Sequence, residues 1–257
     1  MSQSAPAARP RIHLMDEVRG FAVLCMVVRH AFYLMGYLFD QPWAQAAFDF
    51  FAPVSPLFAG AFVLISGISS QLSHSNWARG ARLLAVALGL TLATALVIPE
   101  EIIRFGVLHM LAVCMLVFAL LQKPLARVPF GVGIAVCMVG FVLTAGLFFA
   151  PVPYVGVPGV PLLQICAVSE WGKFLFPLGI QNVGFYSSDY YPVFPWIFVF
   201  LAGTFLGRFA AAGRFPQWMY PARVPAFSWM GKHALVIYVL HQPVLYGIVW
   251  LISAIVP

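Results

Sequence analysis

The chain reads as an all-α, polytopic membrane bundle of about seven transmembrane helices, and three observations predict that class. Hydrophobic residues make up 62% of the 257 positions and charged residues only 9%, where a soluble domain carries about 25% charge. Mean hydropathy is +0.93. Seven stretches, near 18–38, 50–70, 82–98, 103–121, 130–150, 193–210 and 234–254, stay apolar long enough to supply the roughly 20 residues a helix needs to cross a bilayer. They lack the alternation of barrel strands, and lipid requires every backbone group to be bonded internally, so the spans are helices. The whole of 1–257 is expected to form one membrane domain, with 1–10 a short disordered tail.

Charge orders the topology. Arg9, Arg11, Arg79, Arg82, Lys123, Arg127, Arg208, Arg214, Arg223 and Lys232 fall in the N-terminus and the even loops, whereas the odd loops hold Arg104, Lys173 and most of the acids. The positive-inside rule places the N-terminus in the cytoplasm and the C-terminus outside. The formal net charge of +6 is therefore spread by loop parity rather than gathered into a nucleic-acid-binding patch. The first 17 residues are polar and lack an apolar core with a cleavage site, so the first span is expected to be its own insertion signal. Cys25, Cys114, Cys137 and Cys166 are too dispersed for a disulfide framework or a zinc motif.

Along the chain, the first span carries the most informative residues. Arg19 and His30 are eleven positions apart, hence about 16 Å apart along the axis and within about 20° of one face. A charge at mid-bilayer costs about 2.5–3.5 kcal/mol on insertion scales, so such a face turns toward protein or a watery cavity. Asp16, three residues before Arg19, can pair with it, either as an interfacial ion pair setting helix depth or as part of a site. The second span ends in Ser66, Gly67, Ser69 and Ser70, small residues suited to close helix approach. The third and fifth spans show nothing beyond hydrophobicity. In the fourth, Arg104 stands at the outer boundary with His109 five residues deeper.

The outer loop of 151–191 is long and apolar, which reads as a cap built from interfacial or re-entrant pieces rather than as disorder. It ends at Asp189, just before the sixth span. In the seventh, His241, Gln242 and Pro243 interrupt the helix, and Tyr238 shares a face with His241, so a hydrogen-bonded structural kink is the competing interpretation of that histidine.

RIHLMDEVRGFAVLCMVVRH resembles the opening of the transmembrane acyltransferases, whose first helix carries an arginine, ten intervening residues and a histidine. The nearer likeness is to the catalytic domain of heparan-alpha-glucosaminide N-acetyltransferase and its bacterial relatives. FVLISGISS, FGVLHMLA, DYYPVFPW and FSWMGKHALVIYVLHQPVLYGIVWL are each similar to segments of that family. The resemblance implies an enzyme of a bacterial inner membrane that takes acetyl-CoA from the cytoplasm and acetylates an amino or hydroxyl group of an extracytoplasmic glycan. His30 would be its general base or transient acyl carrier, and Asp189 would orient His30 or the acceptor. Arg19 would hold the donor's phosphates, with Asp16, Ser66 and Gly67 along the donor path. Arg104, His109, Tyr238, His241 and Gln242 would line the cavity. No metal or nucleic acid is implied; membrane lipid, acyl-CoA and an amino-sugar acceptor are, and a homodimer remains open.

Two other classes compete. A transporter or flippase could use Arg19 and His30 to bind an anion or relay protons, although no inverted repeats or paired broken helices are visible. A non-catalytic membrane subunit would explain the composition but not the shared face of Arg19 and His30. The topology is directly testable. Reporter fusions at Ser75 and Ser169 should report cytoplasm and exterior respectively, and finding both on one side would sink the seven-span reading.

Overall fold

The computed structural model describes residues 10–165, 172–182 and 184–255. Seven helical segments among them are long and apolar enough to cross a membrane: His13–Leu38, Pro42–Gln71, Asn76–Val97, Val107–Ala126, Phe130–Phe149, Val193–Ala211 and Ala234–Ile252. The chain forms two compact units, Met1–Phe62 with Gly213–Pro257, and Val63–Ala212.

The first unit is built on α1 (His13–Tyr33), which ends in a π-helical turn over Leu34–Leu38. It also contains α2 (Pro42–Phe51), the opening turns of α3 (Ser55–Gln71), α10 (Pro225–Lys232) and α11 (Ala234–Ile255). Proline stands in the first turn of both α2 and α10, where its missing N–H has no intrahelical partner to lose. The short helix α10 lies directly against α1. A Cβ on Gly20 would run into the Phe227 carbonyl, and one on Gly231 into the Asp16 carbonyl, so two glycines let the backbones touch. Glu17, buried on α1, accepts the backbone N–H groups of Arg223 at 2.6 Å and Val224 at 2.9 Å. These are otherwise unpaired donors at the start of α10, so a carboxylate on α1 caps that helix from across the contact.

The second unit comprises the rest of α3, then α4 (Asn76–Val97), α5 (Val107–Ala126), α6 (Phe130–Thr144), α7 (Gly146–Phe149), strands β1 (Tyr154–Val157) and β2 (Val160–Gln164), α8 (Gly172–Leu175) and α9 (Val193–Ala211). Ser75 caps α4 by accepting the Ala78 N–H at 3.2 Å. Met110, Cys114 and Phe118 recur every four residues on α5 and are fully buried, as are Trp196 and Phe200 on α9. These form the core. The end of α3 packs on α9 backbone to backbone: a Cβ on Gly67 would enter the Phe200 carbonyl, and one on Gly203 the Leu64 carbonyl. Arg208 on α9 closes the end of α5 by donating to the Val128 carbonyl at 2.8 Å and the Leu125 carbonyl at 2.5 Å.

The seven spans occur where the hydropathy places them, with informative differences. The third begins at Asn76 rather than near residue 82, because Arg79 and Arg82 depress the hydropathy of a turn that Ser75 nonetheless caps. The second extends back to Pro42 through α2 and a 3-10 turn over Ala52–Val54. The last span is not interrupted at His241–Pro243: α11 continues through Pro243 to Ile255. The outer loop contains an antiparallel hairpin, β1 with β2, that the sequence reading does not anticipate. Pro158 and Gly159, with φ of +83° at the glycine, make the turn that the hairpin needs. Its valine-rich arms supply the strands. The re-entrant expectation for the loop falls partly on residues outside those described, as do Cys166 and Glu170.

The α1–α10 contact makes a clear prediction. Gly231→Val should destabilise the protein by about 1–3 kcal/mol through overpacking. Gly89→Ala, where an added Cβ meets nothing within 4 Å, should be tolerated. Thermal unfolding of the two purified variants in detergent checks both.

Candidate functional site

Four polar clusters hold the residues singled out from the sequence, two in each unit. At the start of α1 the buried Asp16 bridges two guanidiniums, with Arg11 Nε at 2.6 Å and Arg19 Nη1 at 3.2 Å. The sequence-predicted Asp16–Arg19 pair is thus present, with Arg11 as a second partner. The hydrogen bond that Arg11 donates to Asp16 raises the Arg11 pKa above its ordinary value. Asp16 thus holds two guanidiniums together at the start of α1.

Further along the same unit, α1 meets α11 through imidazoles. His30 and His241 lie with ring centroids 5.0 Å apart, tilted by 56°. The side-chain amide of Gln242 donates to His30 Nδ1 at 3.0 Å, and His241 Nδ1 donates to the Tyr238 carbonyl at 2.6 Å. That bond is made to the backbone three residues earlier, not through the Tyr238 ring, whose centroid lies 5.7 Å from that of His241. His241 is buried, His30 half-buried and Gln242 exposed. Arg29, beside His30 in sequence, turns elsewhere and sets its guanidinium 4.3 Å over the Phe48 ring.

In the second unit, the segment before α9 zips onto the segment before α5. Ser188 N–H donates to the Ile102 carbonyl at 3.2 Å, and Tyr191 N–H to the Phe105 carbonyl at 3.0 Å. This brings Asp189 Oδ2 within 3.2 Å of the Val107 N–H, so Asp189 caps α5 from a distant part of the chain. Gly106 lies close beside it, since a Cβ there would meet that carboxylate. His109 works at the same helix start. Its Nδ1 accepts the Gly106 N–H at 3.3 Å and its Nε2 faces the Thr91 hydroxyl at 3.2 Å, while that hydroxyl donates to the Ile103 carbonyl at 2.6 Å. Both ring nitrogens are satisfied, as befits a buried structural histidine. Arg104 is exposed, its backbone N–H bonded to Ser187 at 3.0 Å. Nearby, the Tyr190 hydroxyl donates to the Phe176 carbonyl at 2.6 Å, and burial pushes its pKa up to about 12.

The fourth cluster ends α3. Ser70 Oγ donates to the Ser66 carbonyl, and Asn76 Nδ2 to the Ser70 carbonyl, each at 2.9 Å. Arg79 reaches the Ser69 carbonyl at 3.3 Å. Here Gly67 serves close contact with α9 and Ser66 belongs to the helix-ending network. Among the described residues no group of three His, Cys, Asp or Glu side chains is placed to hold a metal ion.

The sequence reading brings Asp16 to Arg19 and places His30 on the same helix. It pairs neither His30 with Gln242 nor Asp189 with α5, because those contacts join residues far apart in the chain. Thr91 and Asn76 carry no signal in the sequence, and Glu17 reads there only as an acid at the cytoplasmic face before the first span. A second acid beside Asp16 at a span boundary was the one available hint of Glu17.

These clusters define a helical, multi-pass membrane protein in which two imidazoles and an amide meet where one span packs on another. The chain belongs to the family described as heparan-alpha-glucosaminide N-acetyltransferase, catalytic, whose sequence profile matches residues 11–243. That is a family of membrane acyltransferases. Searches of curated proteins and of solved structures returned no significant match.

The cap geometry predicts that Asp189→Ala lowers stability by about 0.5–2 kcal/mol, the usual effect of losing a capping side chain. Asp189→Asn, which keeps an acceptor oxygen, should recover most of it. Thermal unfolding of both variants provides the measurement.

Proposed function

We propose that this protein moves an acetyl group from cytoplasmic acetyl-CoA to an amino or hydroxyl group of a glycan on the far side of a bacterial inner membrane. Family membership supports acyl transfer as the reaction class. The observation that carries the reading to this chain is the contact of His30 with Gln242 at 3.0 Å, beside the ring of His241. Imidazoles serve as proton acceptors, hydrogen-bond donors and nucleophiles near neutral pH, which are the roles that acyl transfer from a thioester needs.

The Arg11–Asp16–Arg19 cluster supports the donor end of the path. Arg19 lies eleven residues, about three helical turns, before His30 on α1. A guanidinium there holds the phosphates of a CoA molecule while the pantetheine arm follows the helix toward His30. With the N-terminus cytoplasmic, as the charge distribution indicates, the phosphates stay on the donor side and the thioester reaches into the membrane. The acceptor enters from the opposite side, where its attack on the acetyl carbon releases the CoA thiol.

The test uses the purified protein in lipid nanodiscs with acetyl-CoA and glucosamine, measuring both the acetylated product and released thiol. His30→Asn keeps a polar side chain of similar size but removes the imidazole. It should insert and purify normally yet lose about 10²–10⁴-fold in rate. Full activity per folded molecule would reassign His30, and substrate flux without acetylated product would identify a transporter instead.

A further inference from the structure

The two histidines of this cluster are held in opposite tautomers. At His241 the partner of Nδ1 is the Tyr238 carbonyl, 2.6 Å away. A carbonyl oxygen only accepts, so Nδ1 carries the hydrogen, and in the neutral ring Nε2 is left with a lone pair. That Nε2 is buried and has no hydrogen-bond partner among the described residues. At His30 the partner of Nδ1 is the amide nitrogen of Gln242, 3.0 Å away. An amide N–H only donates, so His30 Nδ1 is the acceptor, and the neutral ring carries its hydrogen on Nε2. One ring is therefore prepared to accept a proton and the other to donate a hydrogen bond, with centroids 5.0 Å apart.

A purely structural histidine in α11 needs only its bond to the carbonyl one turn back. The unmet Nε2 acceptor is outside that explanation, because buried polar groups are normally paired. His109 supplies the contrast within this same chain, since both of its nitrogens have partners.

We propose that His241 is the general base of the reaction and that His30 donates its Nε2–H to the acetyl carbonyl oxygen. This rests on the acyl-transfer reading above. The acceptor's nitrogen or oxygen forms a bond to the acetyl carbon while its proton passes to His241 Nε2, and His30 stabilises the negative charge that develops on the carbonyl oxygen. The C–S bond then breaks. The CoA sulfur leaves with the electron pair and takes the proton from His241, which returns to its starting state. Gln242 and the Tyr238 carbonyl are the groups that set the two tautomers.

The experiment compares variants that separate the two nitrogens of His241. Asparagine retains an N–H donor for the Tyr238 carbonyl but has no basic nitrogen, so His241→Asn should fold normally and lose about 10²–10⁴-fold in acetyl transfer from acetyl-CoA to glucosamine. In His241→Ala, added imidazoles should restore activity, with rates rising with the basicity of the imidazole. Wild-type rates in His241→Asn, or rescue of His241→Ala that is independent of basicity, would overturn the assignment while leaving acetyl transfer intact. If His241→Asn does not fold, the imidazole series alone decides between these outcomes. A wild-type protein that releases no CoA thiol with glucosamine would instead count against the acyl-transfer reading on which the assignment depends.

Discussion

In the first unit, the contact between α1 and α10 depends on a carboxylate that has left water. Glu17 is buried and accepts the backbone N–H groups of Arg223 and Val224. Breaking such a pair strands either a buried charge or two unpaired donors, so the contact is specific. The glycine pair Gly20 and Gly231 permits the approach that makes the bonds short. One turn away, Asp16 is buried beside the same contact and gathers Arg11 and Arg19. The proposed donor-binding charge is thus anchored by the packing of two helices rather than displayed on a mobile tail.

The same requirement, that polar groups out of water find partners, distinguishes the surroundings of the polar residues singled out from the sequence. Asp189 and His109 look equally promising as isolated letters in a hydrophobic sequence. In the fold, Asp189 caps α5, and His109 is bonded at both nitrogens. His241 differs from both. Its Nδ1 is committed to a backbone carbonyl, and its Nε2 is buried and has no hydrogen-bond partner among the described residues. His30 lies beside it under the hold of Gln242.

Fold class was legible because lipid imposes a simple rule: a stretch of about 20 apolar residues whose backbone must bond to itself becomes a helix. The seven spans appear for that reason, and the start of the third is misplaced where Arg79 and Arg82 depress local hydropathy. Local side-chain geometry was legible for the same kind of reason. Asp16 and Arg19 sit three residues apart on one helix, so 3.6 residues per turn suffices to pair them. The outer hairpin escaped because its four- and five-residue strands acquire their meaning only from each other.

By itself, then, the sequence determined the membrane class, the number of spans and which polar residues share a face of the first helix, because hydropathy and helical periodicity are properties of consecutive residues. Tertiary structure alone decided that Glu17 caps α10, that Asp189 caps α5 and that His30 meets Gln242 and His241. Those contacts join positions 82 to 212 residues apart. Their formation depends on how helices pack, on two glycines that permit close approach and on the need of buried donors and acceptors to find one another. None of these is written in any short stretch of the chain.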